Sequence, residues 1–148
     1  MFNIVLIEPE IPPNTGNIGR LCMATQSTLH LVKPLGFSLD DRRLKRAGLD
    51  YWDEVDVRTW DSFAQLQQAQ PANARYFFLT TKTDRAYYNV KFKRADFLVF
   101  GRETKGLPEN LLAANIDRCI TIPMHSTRSL NLATAVAVVL FEAVRQRR

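Results

Sequence analysis

Phe97-Leu98-Val99-Phe100-Gly101-Arg102-Glu103-Thr104-Lys105-Gly106-Leu107-Pro108 is the stretch on which the fold turns. It opens on an unbroken apolar run, Phe97 to Phe100, as expected of a strand in a parallel sheet covered on both faces. The segment then changes character at once. Gly101 and Gly106 flank charged and polar residues, a composition that lets backbone approach a ligand closely. The two glycines have the spacing of a Walker A loop, but Leu107 and Pro108 stand where that loop requires Lys and Ser/Thr. ATP hydrolysis is therefore not expected, and without a GxGxxG after a strand a dinucleotide site is weakly supported.

Working outward, Tyr76 to Thr80 is a second continuous apolar strand, and Phe2 to Ile7, Leu29 to Val32 and Arg118 to Ile122 are further ones, the last two stopped by Pro34 and Pro123. Between them lie helical patterns. One carries Ile18, Leu21, Cys22 and Thr25 on a single face; a short basic helix capped by Asp40 ends near Gly48; another starts from Asp61 and runs through Phe63 and Leu66. A final helix spans Leu130 to Arg148, with Ser129 at its start and basic residues at its end, as the helix dipole favours. The alternation predicts an α/β fold, a parallel sheet flanked by helices, with residues 1–148 as a single domain.

The last helix carries an argument of its own. Leu130, Leu132, Ala133, Val136, Val138, Val139, Leu140, Phe141 and Val144 cover more than one face. A helix apolar nearly all round is buried on more than one side, and in so small a domain the second cover is expected from another subunit, making a homodimer. The same stretch is too short for a comfortable membrane span and contains Asn131 and Glu142. Met1 to Ile7 has neither a basic leader nor a cleavage site, so a soluble cytoplasmic protein is expected.

The net charge of +5 favours a polyanionic partner. Arg42, Arg43, Lys45 and Arg46 cluster together, as do Lys82, Arg85, Lys91, Lys93 and Arg94. Cys22 and Cys119 belong to no CxxC pair and sit among apolar neighbours, so buried free thiols are expected. His30 and His125 have no carboxylate or Cys at ligand spacing, and no metal site is expected.

Two more loops look unlike simple connectors. Glu8-Pro9-Glu10-Ile11-Pro12-Pro13-Asn14-Thr15-Gly16-Asn17-Ile18-Gly19-Arg20 is stiffened by prolines and turns into a helix N-terminus, with Arg20 on the first turns, where its forked donors suit a phosphate or an alkoxide. In Ile122-Pro123-Met124-His125-Ser126-Thr127-Arg128-Ser129-Leu130-Asn131-Leu132, apolar Ile122 and Met124 could sandwich an adenine while amides near Ser129 meet its polar edge. Composition and spacing reach a basic α/β domain with three unusual loops, and do not name a reaction.

Taken in order, these loops resemble the SPOUT superfamily of RNA methyltransferases, and within it the TrmL (YibK-like) tRNA 2′-O-methyltransferases. The likeness covers nearly the whole chain, including Asn3-Ile4-Val5-Leu6, Leu44 to Tyr51 and Leu79-Thr80-Thr81-Lys82 as well as the three loops. The resemblance implies a C-terminal trefoil knot, which ordinary connection rules would not suggest. It also implies S-adenosylmethionine (SAM) held by Leu79, Gly101, Gly106, Ile122, Met124, Ser129 and Leu130, a catalytic role for Arg20, and a homodimer through the first and last helices. The substrate it implies is the wobble pyrimidine of certain tRNAs, with Arg42, Arg43, Lys45, Arg46 and Arg128 as RNA contacts. Two positions depart from the pattern: Arg102 where relatives often carry proline, and Phe141 where tyrosine is common. Arg102 is a candidate for altered RNA contacts. Rival expectations are a TrmH-like 2′-O-methyltransferase acting at another tRNA or rRNA site, and a non-catalytic RNA-binding assembly factor.

Overall fold

The computed structural model describes residues 1–127 and 129–147, apart from the side chains of Leu49 and Asp50. Strands β1 (Asn3–Ile7), β2 (Thr28–Val32), β3 (Val57–Trp60), β4 (Tyr76–Leu79), β5 (Phe97–Phe100) and β6 (Cys119–Ile120) form a 6-stranded sheet in the order β3-β2-β1-β5-β4-β6. Every pairing between these strands is parallel, with Asn3 opposite Thr28 on one side of β1 and Phe97 on the other. Parallel neighbours require crossovers, and these carry α1 (Pro12–Ala24), α2 (Arg42–Ala47), α3 (Phe63–Gln68) and α4 (Glu109–Ala114), while α5 (Leu132–Arg147) follows the last strand.

Side chains alternate across a strand, so β1 feeds two cores. Ile4 and Leu6 join Leu29, Leu31, Leu98 and Phe100 under Ile18 and Cys22 of α1, Leu44 of α2 and Val136, Val139 and Leu140 of α5. Val5 and Ile7 join Val32, Phe78, Phe97 and Val99 beneath Leu66 of α3 and Leu112 of α4. The unbroken apolar runs are explained: both faces of the central strands are covered. Each fully buried Leu or Ile here contributes roughly 1.5–3 kcal/mol of transfer free energy.

At the edge of the second core lies a polar triad, with His30 buried between half-buried Asn3 and Trp60. Trp60 Nε1 donates to His30 Nδ1 at 3.0 Å, and His30 Nε2 lies 2.9 Å from Asn3 Oδ1. An indole N–H only donates, so Nδ1 accepts and the ring proton sits on Nε2, facing the Asn3 oxygen. Burial pushes the His30 pKa down to about 4, with the nearby Arg58 charge acting in the same direction.

Several boundaries differ from expectation, each for a local reason. α2 is capped by Asp41 rather than Asp40, the carboxylate accepting from Arg43 N at 2.8 Å. α3 is capped by Ser62 rather than Asp61, its hydroxyl accepting from Gln65 N at 3.1 Å. α5 starts at Leu132, with Asn131 Oδ1 accepting from Thr134 N at 3.2 Å. Only Cys119 and Ile120 of the expected last strand form β6. β3 and α4 were not legible: β3 is an edge strand of mixed polarity, Val-Arg-Thr-Trp, and α4 is too short to show a helical period. On α5, Val136, Val139, Leu140 and Ala143 face the core while Phe141 is left 45% exposed.

Candidate functional site

From β1 the chain moves outward to β2 and β3, and β5 occupies the other flank of β1, so the strand order turns back between β1 and β5. In open parallel sheets, ligands bind beyond the carboxyl ends of the strands at such a switch point. A cavity of about 590 Å³ lies there, within the usual range for small-molecule sites. Its walls come from the loops after β1, β4, β5 and β6. Leu79, Gly101, Gly106, Ile122, Met124, Ser129 and Leu130, dispersed along the sequence, all line it.

The loop after β5 is a tight hairpin. Arg102 N donates to Gly106 O at 3.2 Å and Gly106 N to Arg102 O at 2.8 Å. A Cβ on Gly101 would lie 2.1 Å from the Gly106 carbonyl carbon, so no larger residue fits. Gly106 needs to be glycine for its dihedral, φ +68°, and not for room: a Cβ there would meet nothing within 4 Å among the described residues. Bare peptide thus faces open space on the cavity wall, next to the apolar side chains of Leu79, Ile122, Met124 and Leu130.

This hairpin is tied to the loop after β1 by an exchange of carboxylates. Glu103 accepts from Glu10 N at 2.8 Å, Ile11 N at 2.9 Å and Asn14 Nδ2 at 3.3 Å. Ile11 is the N-cap of α1 and offers no capping side chain, while Pro12 and Pro13 have no N–H to satisfy. Glu103 therefore takes up the amides just before the helix, and its charge favours the helix N-terminus. In return Glu10 accepts from Thr104 N at 3.0 Å, Thr104 Oγ1 at 2.8 Å and Arg102 Nη2 at 3.1 Å. The Thr104 hydrogen bonds, with Arg102 beside them, hold the Glu10 carboxyl below its ordinary pKa.

Asn14 extends the network, its Oδ1 accepting from Asn131 Nδ2 at 3.0 Å. All three loops are thus joined. Glu10, Asn14, Glu103 and Asn131 are not among the site residues expected from the sequence; the available signal is a glutamate inside a glycine loop and a helix start of two prolines with no capping side chain. Arg102, a candidate for altered RNA contacts, is paired with Glu10 at 3.1 Å and remains part-exposed.

Arg20 does not line the cavity. It is exposed on α1 and borders a neighbouring hollow with Asn17, Tyr51, Asn131 and Thr134, and Asn131 belongs to both walls. On α2, Arg43 pairs with Asp41 at 3.0 Å and Lys45 with Asp40 at 3.9 Å. Arg42 and Arg46 are exposed and make no ion pair among the described residues. Arg128 lies outside the described residues. Of the second basic cluster, Lys82 is bound to Glu109 at 2.9 Å. Cys22 and Cys119 are buried free thiols, and burial pushes Cys22 up to about 12, which leaves it unreactive. Among the described residues no three His, Cys, Asp or Glu side chains group as metal ligands, and no helix is long and apolar enough to cross a membrane.

Residues 1–141 match the SpoU rRNA Methylase family. The chain is 51% identical, over 99% of its length and 94% of the relative's, to a tRNA (cytidine(34)-2′-O)-methyltransferase of Yersinia pestis. A solved structure concerned with 2-OH methylation of C/U34 on tRNA superposes with a TM-score of 0.95 at 47% identity, covering 99% of this chain and 96% of that one. An AdoMet-bound rRNA methyltransferase from Sinorhizobium meliloti is similar at 25% identity and a TM-score of 0.84, over 97% of this chain and 56% of that one.

Proposed function

The chain belongs to the SpoU rRNA Methylase family, and on that premise we propose that it transfers a methyl group from SAM to the ribose 2′-oxygen of the wobble pyrimidine in the anticodon loop of certain tRNAs. The observation that carries this reading is the cavity at the β1–β5 switch point, on which Leu79, Gly101, Gly106, Ile122, Met124, Ser129 and Leu130 converge. The acceptor is taken from the similar Yersinia pestis enzyme and from the C/U34 structure.

The cavity suits the cofactor chemically. Leu79, Ile122, Met124 and Leu130 offer apolar surface to an adenine, and the bare Gly101–Gly106 backbone with the amides near Ser129 offers partners for its polar edges. Bound SAM supplies a methyl group activated on a sulfonium. The protein's own part is to bring the 2′-oxygen into line and to manage its charge. Arg20 is unsuited to act as a base, because its guanidinium offers a fork of N–H donors and no acceptor. It instead orients the ribose and stabilises negative charge developing on the oxygen. A phosphate or water takes the hydroxyl proton, and transfer leaves the demethylated cofactor as the thioether. Its place in the hollow beside the cavity, joined to it through Asn131, suits an acceptor entering from that side.

Arg42, Arg43, Lys45 and Arg46 hold RNA phosphates, and the loops near Arg20 and Arg128 read the base. The target is a splayed single-stranded nucleotide, as an anticodon loop provides. We read residues 1–148 as one cytoplasmic enzyme domain acting as a homodimer through α1 and α5; the exposed Met23 and Phe141 support that pairing. We also infer a C-terminal trefoil knot, supported by Ile122, Met124, Ser129, Leu130 and Asn131 lining the same cavity as the Gly101–Gly106 loop, with α5 packed on α1.

Incubation of total tRNA with the enzyme and labelled SAM, then nuclease digestion and mass spectrometry, should place the label on the 2′-oxygen of the wobble nucleotide. Label in rRNA only, on a base atom, or at a tRNA site outside the anticodon loop would overturn the assignment. Sedimentation should give twice the chain mass of 17.0 kDa, and an active monomer would remove the dimer from the reading.

A further inference from the structure

Glu10 takes no part in the steps above and does not line the cavity, yet the residues it holds do. We propose that Glu10 is a positioning residue for the cofactor: it fixes the Arg102–Gly106 hairpin in its ligand-receiving shape, with Arg102 as its counter-charge. The inference rests on reading the switch-point cavity as the SAM site.

Left to itself the hairpin is weakly determined. Its backbone is closed by the Arg102–Gly106 pair of hydrogen bonds at the base, and it is bounded by glycines, which widen the range of backbone conformations open to the loop. The shape of its tip must be imposed from outside. Glu10 does this with both oxygens, Oε1 receiving Thr104 N and Thr104 Oγ1, and Oε2 receiving Arg102 Nη2. Such bonds to an ionised group are stronger than neutral ones. Among the described residues Arg102 Nε is buried without a hydrogen-bond partner, so it is the Glu10 contact that holds the guanidinium beside the cavity.

The anchor is itself stiff. Glu10 lies between Pro9 and Pro12; Glu8 N donates to Val32 O at 2.9 Å, and Gly36 N donates to Pro9 O at 2.9 Å. The backbone of Gly36 passes so near that a Cβ there would lie 2.9 Å from Glu10 Cα. A rigid carboxylate on the loop after β1 therefore sets the position of Arg102 and Thr104, which line the cavity after β5. Because Glu10 acts through these neighbours, its loss is expected in cofactor affinity and not in the rate of transfer.

The test is calorimetric titration of the full chain with SAM, paired with methylation kinetics on tRNA. Glu10→Ala should weaken SAM binding by about tenfold, the size expected from losing hydrogen bonds to a charged group. Arg102→Ala should weaken it by roughly threefold, and the double variant should match Glu10→Ala alone, because the two side chains act as one unit. In kinetics the KM for SAM should rise with kcat at saturating SAM held within about twofold, since uniform binding is what is lost. Glu10→Gln keeps an acceptor for Thr104 but not the charge and should fall between; it carries the test if Glu10→Ala fails to fold. Wild-type protein that binds SAM alongside variants of equal affinity would overturn the proposal, as would a lowered melting temperature with unchanged SAM binding. Additive losses from Glu10 and Arg102 would also overturn it. Wild-type protein that does not bind SAM at all would instead bring down the cofactor reading on which it rests.

Discussion

Around His30 every polar group answers another inside the protein: the Trp60 indole donates to one ring nitrogen, and the other faces Asn3 Oδ1. Around Glu103 the partners are also internal, but they span three loops, and the backbone of Gly101 and Gly106 is left bare on the wall of a cavity. The first network closes a core, and the second holds loops apart so that something else can enter. The difference follows from position. His30 lies within β2, with its neighbours β1 and β3 supplying Asn3 and Trp60. Glu103 lies past the carboxyl end of β5, where loops diverge from the sheet at the switch point. Burial of polar groups alone thus does not mark a functional site; the arrangement of what remains uncommitted does.

The largest expected effect sharpens this contrast from the reactive side. Arg20→Ala should lower methyl transfer by about 100- to 1000-fold, the loss typical of removing one donor that stabilises developing negative charge. SAM affinity by calorimetry should stay within about twofold, since Arg20 does not line the cavity. A collapse of SAM binding would show that the two hollows are one site.

Next comes the closed network, tested by acid. His30 is held neutral, with a folded pKa of about 4 against an ordinary value of 6.5. A depressed value means that the unfolded chain binds the proton first. The stabilisation is therefore complete above about pH 6.5 and is lost as the pH falls through about 4. The shift corresponds to roughly 3 kcal/mol. Urea unfolding from pH 7 to 4 should show this acid limb in the wild type and a flatter one in His30→Gln. Equal slopes would mean that the histidine opens to solvent before it titrates.

Glu103→Ala breaks the comparison from the other end. It strips the acceptor from Glu10 N, Ile11 N and Asn14 Nδ2, and should cost about 1–3 kcal/mol in urea unfolding at neutral pH. Unlike His30→Gln, it should also weaken SAM binding. Loss of stability with full SAM affinity would place the Glu103 network in the same class as that of His30.

The smallest effect concerns the α2 cations, which belong to neither network. Arg42→Ala and Arg46→Ala should each flatten the dependence of tRNA binding on salt by roughly 0.7–0.9 in log–log slope if each neutralises one phosphate. Arg43→Ala should change it less, because Arg43 is already engaged with Asp41. Equal effects from all three would show that the Asp41 pair opens when RNA binds.

Legibility in the sequence followed the range of the interactions. β1, β2, β4 and β5 were readable because burial on both faces writes itself as an unbroken apolar run, and the periodic face of α1 was readable for a similar reason. β3 at the sheet edge and the short α4 carry too little pattern to be seen. The caps of α2 and α3 were each misplaced by one residue, Asp40 for Asp41 and Asp61 for Ser62. In both cases neighbouring residues offer a suitable oxygen, and backbone direction chooses between them.

By itself, the sequence determined the α/β class, the unusual loops after β1, β5 and β6, and, through family resemblance, the residues that line the cavity. Those features are encoded in runs, spacings and motifs a few residues long. Tertiary structure alone decided that Glu103 serves the start of α1, that Glu10 answers Arg102 and Thr104, and that Arg20 stands beside the cavity and not in it. The Glu10–Glu103 contact joins positions 93 residues apart. No local pattern registers such a pair: it exists because the sheet sets β5 against β1, so that two loops distant in the chain leave their strands side by side.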